Sequence, residues 1–461
     1  MTVRTDLPPD FVWGVSTSAY QIEGRVDLDG GGRSIWDTFA ATPGRVRGGV
    51  GGEVAADHRR RMVDDVALIA SLGVDAYRFS ISWPRVQPGG EGPANQRGLD
   101  FYDRLVDELL RRGIDPVVTL YHWDLPQELE DRGGWPARET ALRFADYAAL
   151  VADRLGDRVV RWSTVNEPWC SAILGYSAGV HAPGLRDPSA AVAAAHHLLL
   201  AHGLGVAALR DAGVTGGVGL TLNPYPVVAA GDRPEDHDAA RRVDGIANRL
   251  WWDPVFRGTY PDDVRADLAP LGFDDHVGDT DMAVISQPVD ALGLNYYRRH
   301  HVRHEAGASA ENGMWPGSPD VLSVEPPGEH TALGWAVEPD GLTEVLHQAA
   351  TVAGPVGLFV DENGAAFQDP DRAPVDGVVD DPARVRFLRD HVAATALART
   401  EGVEVRGYFV WSLMDNFEWA EGYESRFGIV HVDFETQQRT LKSSAEWYRE
   451  LLAGGGAVEA G

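Results

Sequence analysis

The chain has 461 residues, 44% of them hydrophobic, with a formal net charge of −28 and a pI near 4.8. That charge repels a phosphate backbone and an anionic lipid surface, so nucleic acid and membrane are excluded as expected partners. The single cysteine, Cys170, excludes an internal disulfide and any multi-cysteine metal site.

Strand-like runs alternate with amphipathic stretches along the chain. Phe11-Val-Trp-Gly-Val15 is the first run and leads to Gln21; Val63 to Leu72 then carries apolar residues at helical spacing and stops at Gly73. A second strand is predicted over Ala76–Trp83, followed by a helical stretch from Leu99 to Leu110, closed off by Gly113. Further strands are predicted over Pro116–Trp123, Val159–Val165, Val218–Leu222, Ala291–Tyr297 and Leu358–Val360. Ala383 to Ala398, after Pro382, reads as a helix, and Val405–Trp411 is the eighth strand. Such alternation implies parallel strands joined by right-handed crossovers. Eight repeats predict an α/β fold: a single (β/α)8 TIM barrel occupying 1–461.

Two polar stretches rich in Gly and Pro, His300 to Glu338 and Gly364 to Asp381, are expected to be extended loops over the carboxyl-terminal face of the barrel. No internal repeat, linker or low-complexity segment interrupts the pattern. The segment Met1 to Asp10 lacks the apolar stretch of a secretory signal, and no uninterrupted apolar run looks long enough to span a bilayer. A soluble cytoplasmic protein is expected, and its oligomeric state is left open.

Two glutamates stand out by their settings. Glu167 ends Arg161-Trp-Ser-Thr-Val-Asn-Glu167 ahead of Pro168, and Glu362 ends Leu358-Phe-Val-Asp-Glu362 ahead of Asn363-Gly364. Carboxyl groups brought together across a cleft can break a glycosidic bond, one as proton donor and the other as nucleophile or base. If the barrel forms, the same rim collects Gln21, Arg78, His122, Trp123, Asn166, Asn295, Tyr297 and the segment Trp411 to Trp419. Taken singly, the histidine is a hydrogen-bonded strand end and the tryptophans are core. Arg78, in an otherwise apolar strand, demands a carboxylate partner. Together these amides, carboxyls and indoles suit a pyranose, whose hydroxyls bond in plane and whose C–H faces stack on aromatic rings. No glycine loop with the lysine of a phosphate-binding pattern competes. His196-His197 falls within a helical stretch.

The chain closely resembles the β-glucosidases of glycoside hydrolase family 1, from about Phe11 to Leu451. The segments carrying the resemblance are Ser18-Ala-Tyr-Gln-Ile-Glu-Gly24, Tyr77-Arg-Phe-Ser-Ile-Ser-Trp-Pro-Arg85, Tyr121-His-Trp-Asp-Leu-Pro126 and Thr164-Val-Asn-Glu-Pro168. Gly293-Leu-Asn-Tyr-Tyr297, Glu362-Asn-Gly364 and Trp411-Ser-Leu-Met-Asp-Asn-Phe-Glu-Trp419 follow in family order. The resemblance implies a retaining exo-β-glycosidase with Glu167 as acid/base and Glu362 as nucleophile. Arg78, Tyr297 and Asn295 would support Glu362, and Asn166 would meet the sugar 2-hydroxyl. Gln21, His122, Glu418 and Trp419 would bind the terminal sugar, with Trp123 and Phe427 alongside and Trp411 as its stacking floor. Trp335 would flank the leaving group. No cofactor or metal is implied, and the substrate would be a small oligosaccharide or aryl β-glycoside.

Three residues depart from the family pattern or invite a second reading. Asp361 stands where a small residue is usual, and strand alternation is expected to turn it away from the cleft. Arg59 replaces an aromatic residue, which bears on helix packing. Cys170 is expected to be a small apolar filler, with a place in the pocket lining as the alternative. The competing functions are a 6-phospho-β-glycosidase, which would want Ser and Lys near the site, and a non-catalytic glycan-binding relative.

Overall fold

The computed structural model describes residues 7–24, 26–308, 313–368 and 377–454. Residues 1–6, and parts of both polar stretches (309–312 and 369–376), lie outside the described residues. Eight strands form the core: β1 (Val12–Ser16), β2 (Ala76–Ser80), β3 (Asp115–Tyr121), β4 (Arg161–Asn166), β5 (Gly217–Leu222), β6 (Ala291–Tyr296), β7 (Gly357–Asn363) and β8 (Val405–Trp411). They close into a parallel barrel in the order β1-β8-β7-β6-β5-β4-β3-β2. Every residue of β2, β4 and β6 is buried, as expected of a sheet with helices outside and packed side chains within.

Helices run between the strands. His58–Leu72 precedes β2 and ends at Gly73, whose φ of 78° suits a residue without Cβ. Gln96–Arg111, Arg138–Leu155, Pro188–Asp211, Pro339–Ala353 and Pro382–Thr400 form the further crossovers. Strand ends moved most where Pro or a turn intervenes. β2 stops at Ser80 and Trp83 opens a short helix with Pro84 in its first turn, where a missing N–H costs nothing. β7 runs to Asn363, beyond the expected Val360.

Two sequence expectations are corrected here. The stretch from His300 is more than loop: His300–His304 is the central strand of a three-stranded sheet, pairing with Val227–Ala229 on one side and Val321–Ser323 on the other. Pro188–Asp211 is long and apolar enough to cross a membrane, with mean hydropathy 1.5 in its most apolar window, although 83% of that window is buried inside the fold. Its apolar girth reflects burial between the barrel and neighbouring helices, and its polar side chains bond sideways: His196 to Asp281 at 2.8 Å and His202 to Thr164 at 2.7 Å. The helix packing left open at Arg59, which stands where the family often has an aromatic residue, rests on charge: Arg59 forms an ion pair with Asp29, which also receives Arg85.

Candidate active site

The carboxyl-terminal ends of the strands surround a cavity of about 430 Å3, within the span of roughly 300–1,000 Å3 usual for small-molecule sites. Glu167 and Glu362 both line it, together with His122, Trp123, Tyr297, Trp335, Trp411, Glu418, Trp419 and Phe427. Gln21, Arg78, Asn166 and Asn295 are fully buried and bond to these groups from behind.

Glu362 is gripped from two sides. Arg78 Nη1 donates to Oε1 at 2.6 Å and the Tyr297 hydroxyl donates to Oε2 at 2.7 Å. Arg78 Nη2 donates to Asn166 Oδ1 at 2.6 Å, an oxygen that also receives Asn295 Nδ2 at 3.2 Å. Asn295 Nδ2 in turn donates to Glu167 Oε1 at 2.6 Å. One polar chain therefore runs from Glu362 through Arg78, Asn166 and Asn295 to Glu167. Asn295 was expected to support Glu362, but its amide bonds Glu167: it sits at the top of β6, one residue before the strand ends, while Tyr297 beyond it reaches across.

The two carboxyls differ in charge preference. Burial, and then the negative charge of Glu362, push Glu167 up to about 7. Burial lifts Glu362 as well, against the pull of Arg78 and Tyr297. Among the described residues the Glu167 carboxyl hydrogen-bonds only an amide and a thiol, whereas Glu362 holds a guanidinium and a phenol directly, so the shared proton rests on Glu167 and Glu362 keeps the charge that Arg78 neutralises. The arrangement thus supplies a charged carboxylate facing a protonated one, as acid-assisted displacement requires.

Strict alternation would have turned Asp361 away, but the register against β6 slips between Val360 and Glu362, so the strand bulges and both carboxylates face the barrel axis. Asp361 lies beneath Glu362, taking Arg161 Nη2 at 2.6 Å, Thr221 Oγ1 at 2.8 Å and the edge of Arg78 at 3.6 Å. Burial would raise it, yet Arg161 and Arg78 more than offset that and leave it below the usual carboxylate range. Gly293 makes room: a Cβ there would collide with the Asp361 carboxylate. Gly364, after Glu362-Asn363, is equally constrained, since a Cβ would strike the Trp411 carbonyl.

The sugar-facing wall is aromatic. His122 stacks on Trp411 and Trp419 with ring centroids 5.8 and 6.0 Å away, and burial followed by the Arg78 charge holds it neutral, well below the usual imidazole range. Trp123 Nε1 donates to the Asn166 carbonyl at 3.0 Å. Gln21 takes the Ser18 hydroxyl at 2.6 Å and donates to Asn416, Phe417 and Glu418. Burial, with Glu362 and Glu167 nearby, pushes Glu418 up to about 8. Trp123, Glu167 and Trp419 all adopt positive φ (80°, 46° and 47°). For non-glycine residues this costs on the order of 1–3 kcal/mol each and is tolerated where surroundings fix a working geometry.

Cys170 proves to be more than filler. Its thiol donates to Glu167 Oε2 at 2.9 Å and accepts from Asn223 Nδ2 at 3.5 Å. A helical turn after Pro168 returns it to the acid three residues earlier, a proximity that sequence spacing alone already permitted. The thiol favours the ionised form of Glu167. Cys170→Ala should therefore move the alkaline limb of the kcat/KM profile to higher pH, and Cys170→Ser, which keeps a donor, should restore it. The limb in the unmodified protein is expected near 7, because activity falls as Glu167 loses its proton; an unmoved limb in the alanine variant would contradict the contact.

Among the described residues no group of three His, Cys, Asp or Glu could hold a metal ion. Lys442, the only lysine, is buried against Asp415 at 2.8 Å, so no lysine reaches the cavity to meet a sugar phosphate.

The model of glycosyl hydrolase family 1 matches residues 3–456. The thermostable β-glucosidase B of Thermobispora bispora is 51% identical over 447 residues, covering 97% of this chain and 90% of that one. A bifunctional β-D-glucosidase/β-D-fucosidase of Bifidobacterium breve is 48% identical over 461 residues, covering 97% and 98%. Among solved structures, the psychrophilic β-glucosidase BglU of Micrococcus antarcticus superposes with a TM-score of 0.94 at 46% identity and 99% coverage of both chains.

Proposed function

The chain belongs to glycosyl hydrolase family 1, and from that premise we propose that it is a β-glucosidase that removes terminal glucose from cello-oligosaccharides and aryl β-glucosides by double displacement. The observation that carries this reading is the pairing of Glu362, held by Arg78 and Tyr297, with a protonated Glu167 in one aromatic-walled cavity.

In the first step Glu362 attacks the anomeric carbon while Glu167 gives its proton to the departing oxygen. A covalent glycosyl-enzyme results. Glycosylation removes the charge of Glu362, the second cause of the raised Glu167 pKa, so Glu167 loses its proton more readily and can deprotonate water. That water releases glucose from Glu362 in the second step. Two inversions leave the β configuration intact. Arg78 and Tyr297 stabilise Glu362 as it departs. This reading gives Asn166, whose amide oxygen accepts from Arg78, to the sugar 2-hydroxyl, and hydrogen bonds to that hydroxyl strengthen in the oxocarbenium-like transition state.

The 6-phospho reading is not favoured: Glu418 occupies the sugar-binding wall and no lysine joins it. The glycan-binding reading would leave the charge-tuned carboxyl pair without purpose. Proton NMR during cleavage of a β-glucoside should show β-glucose before mutarotation sets in; α-glucose appearing first would overturn the double displacement.

A further inference from the structure

We propose that Arg298 makes the leaving-group side of the cavity a receptor for aglycones that carry a carboxylate, such as carboxylated aryl β-glucosides. The inference rests on the β-glucosidase reading and adds to it the chemical class of the departing group.

The leaving group must sit beside Glu167, the residue that protonates it. From Glu167 the contacts lead outward through Cys170 and Asn223 to the Tyr225 hydroxyl, which accepts from Asn223 at 3.1 Å. Tyr225 and Arg298 both line the cavity on this side. The Arg298 guanidinium also stands 5.3 Å from the Trp335 ring centroid, and Trp335 meets Tyr297 edge-on at 5.8 Å. An aromatic aglycone leaving Glu167 therefore has an indole on which to stack, with a cation over the same ring.

That cation is under-used by the protein. A guanidinium offers five N–H donors. Among the described residues Arg298 donates to one carboxylate, Glu325 at 3.4 Å, which is half exposed, while the Arg298 side chain is only 18% exposed. Burying a guanidinium with one long, solvent-screened partner is unfavourable unless something else engages it. Burial pulls Arg298 below the usual guanidinium range, a cost that a bound anion would offset. It is the only arginine or lysine lining the cavity among the described residues. The cavity's own anions do not satisfy it: Glu362 is paired with Arg78, Glu421 lies 2.6 Å from Arg47, and Glu418 bonds Gln21 on the opposite, sugar-binding side. A planar carboxylate matches the planar fork of the guanidinium in a two-pronged hydrogen bond.

The test compares kcat/KM for 4-carboxyphenyl β-glucoside and its neutral 4-carboxamide on the same enzyme preparation, so that the folded fraction cancels in the ratio. Arg298→Gln should lower the carboxylate-to-carboxamide ratio about tenfold, the scale of one partly screened charge-assisted contact. Arg298→Lys should fall between, keeping the charge but losing the fork. Raising the salt concentration should lower the ratio in the unmodified enzyme and leave it flat in Arg298→Gln. A ratio unchanged within twofold in Arg298→Gln would overturn the assignment while the β-glucosidase reading stands. Failure of the unmodified enzyme to cleave even the neutral carboxamide would instead remove the β-glucosidase reading, and this inference with it.

Discussion

Glu362→Ala is expected to lower kcat on an aryl β-glucoside by at least ~10^4-fold, the scale seen when a covalent nucleophile is removed. The side chain occupies the convergence of Arg78 and Tyr297, and no neighbour can replace it. Asp361 is the nearest carboxylate, but it is tied to Arg161 and Thr221 beneath the site. It should nevertheless preserve the fold, since Arg78 keeps a carboxylate at 3.6 Å when Glu362 is gone. Circular dichroism should show a folded chain, and Glu362→Gln, which retains an oxygen for Arg78, serves as the gentler control. With azide and an activated substrate the alanine variant should yield α-glucosyl azide, because one displacement now does the work of two. Near-normal turnover in the alanine variant would exclude Glu362 as nucleophile.

Glu167→Ala should separate substrates by their leaving groups. Cellobiose, whose departing sugar needs a proton, is expected to lose on the order of 10^3-fold or more, within the usual range for general acid catalysis. An activated aryl glucoside, whose phenolate departs unaided, should lose far less in its first step and should accumulate glycosyl-enzyme. Azide then attacks that intermediate and gives β-glucosyl azide, the mirror outcome to Glu362→Ala. Equal losses on both substrates would mean that Glu167 only positions its surroundings. The pH profile offers a second readout: removing a group that titrates at about 7 should flatten the alkaline limb of kcat/KM on the activated substrate.

These outcomes depend on a charge arrangement that strand alternation misjudged. Period two along Leu358-Phe-Val-Asp-Glu362 puts Asp361 and Glu362 on opposite faces, and the bulge between Val360 and Glu362 cancels that rule. Cys170 was misjudged for a related reason. Composition casts a lone cysteine as filler, whereas a helical turn returns its thiol to Glu167. Asn295 shows the same limit, since its neighbours in sequence suggest Glu362 and its amide reaches Glu167. In each case the residue type was legible, but its partner depended on a backbone detail or on a strand distant in the chain.

The order of strands and helices, the barrel and the rim on which the chemistry gathers were all set by local pattern, because burial on both faces dictates apolar runs and Gly or Pro ends them. Motif spacing also singled out Glu167 and Glu362 and the aromatic residues around them. Tertiary structure alone supplied the physical cause that keeps the proton on Glu167, and decided that Asp361 shares Arg78 with Glu362 and that Arg298, among the described residues, meets a single distant carboxylate. Proton affinity and ion pairing depend on distance and burial in three dimensions, and neither is encoded in the spacing of residues along one strand.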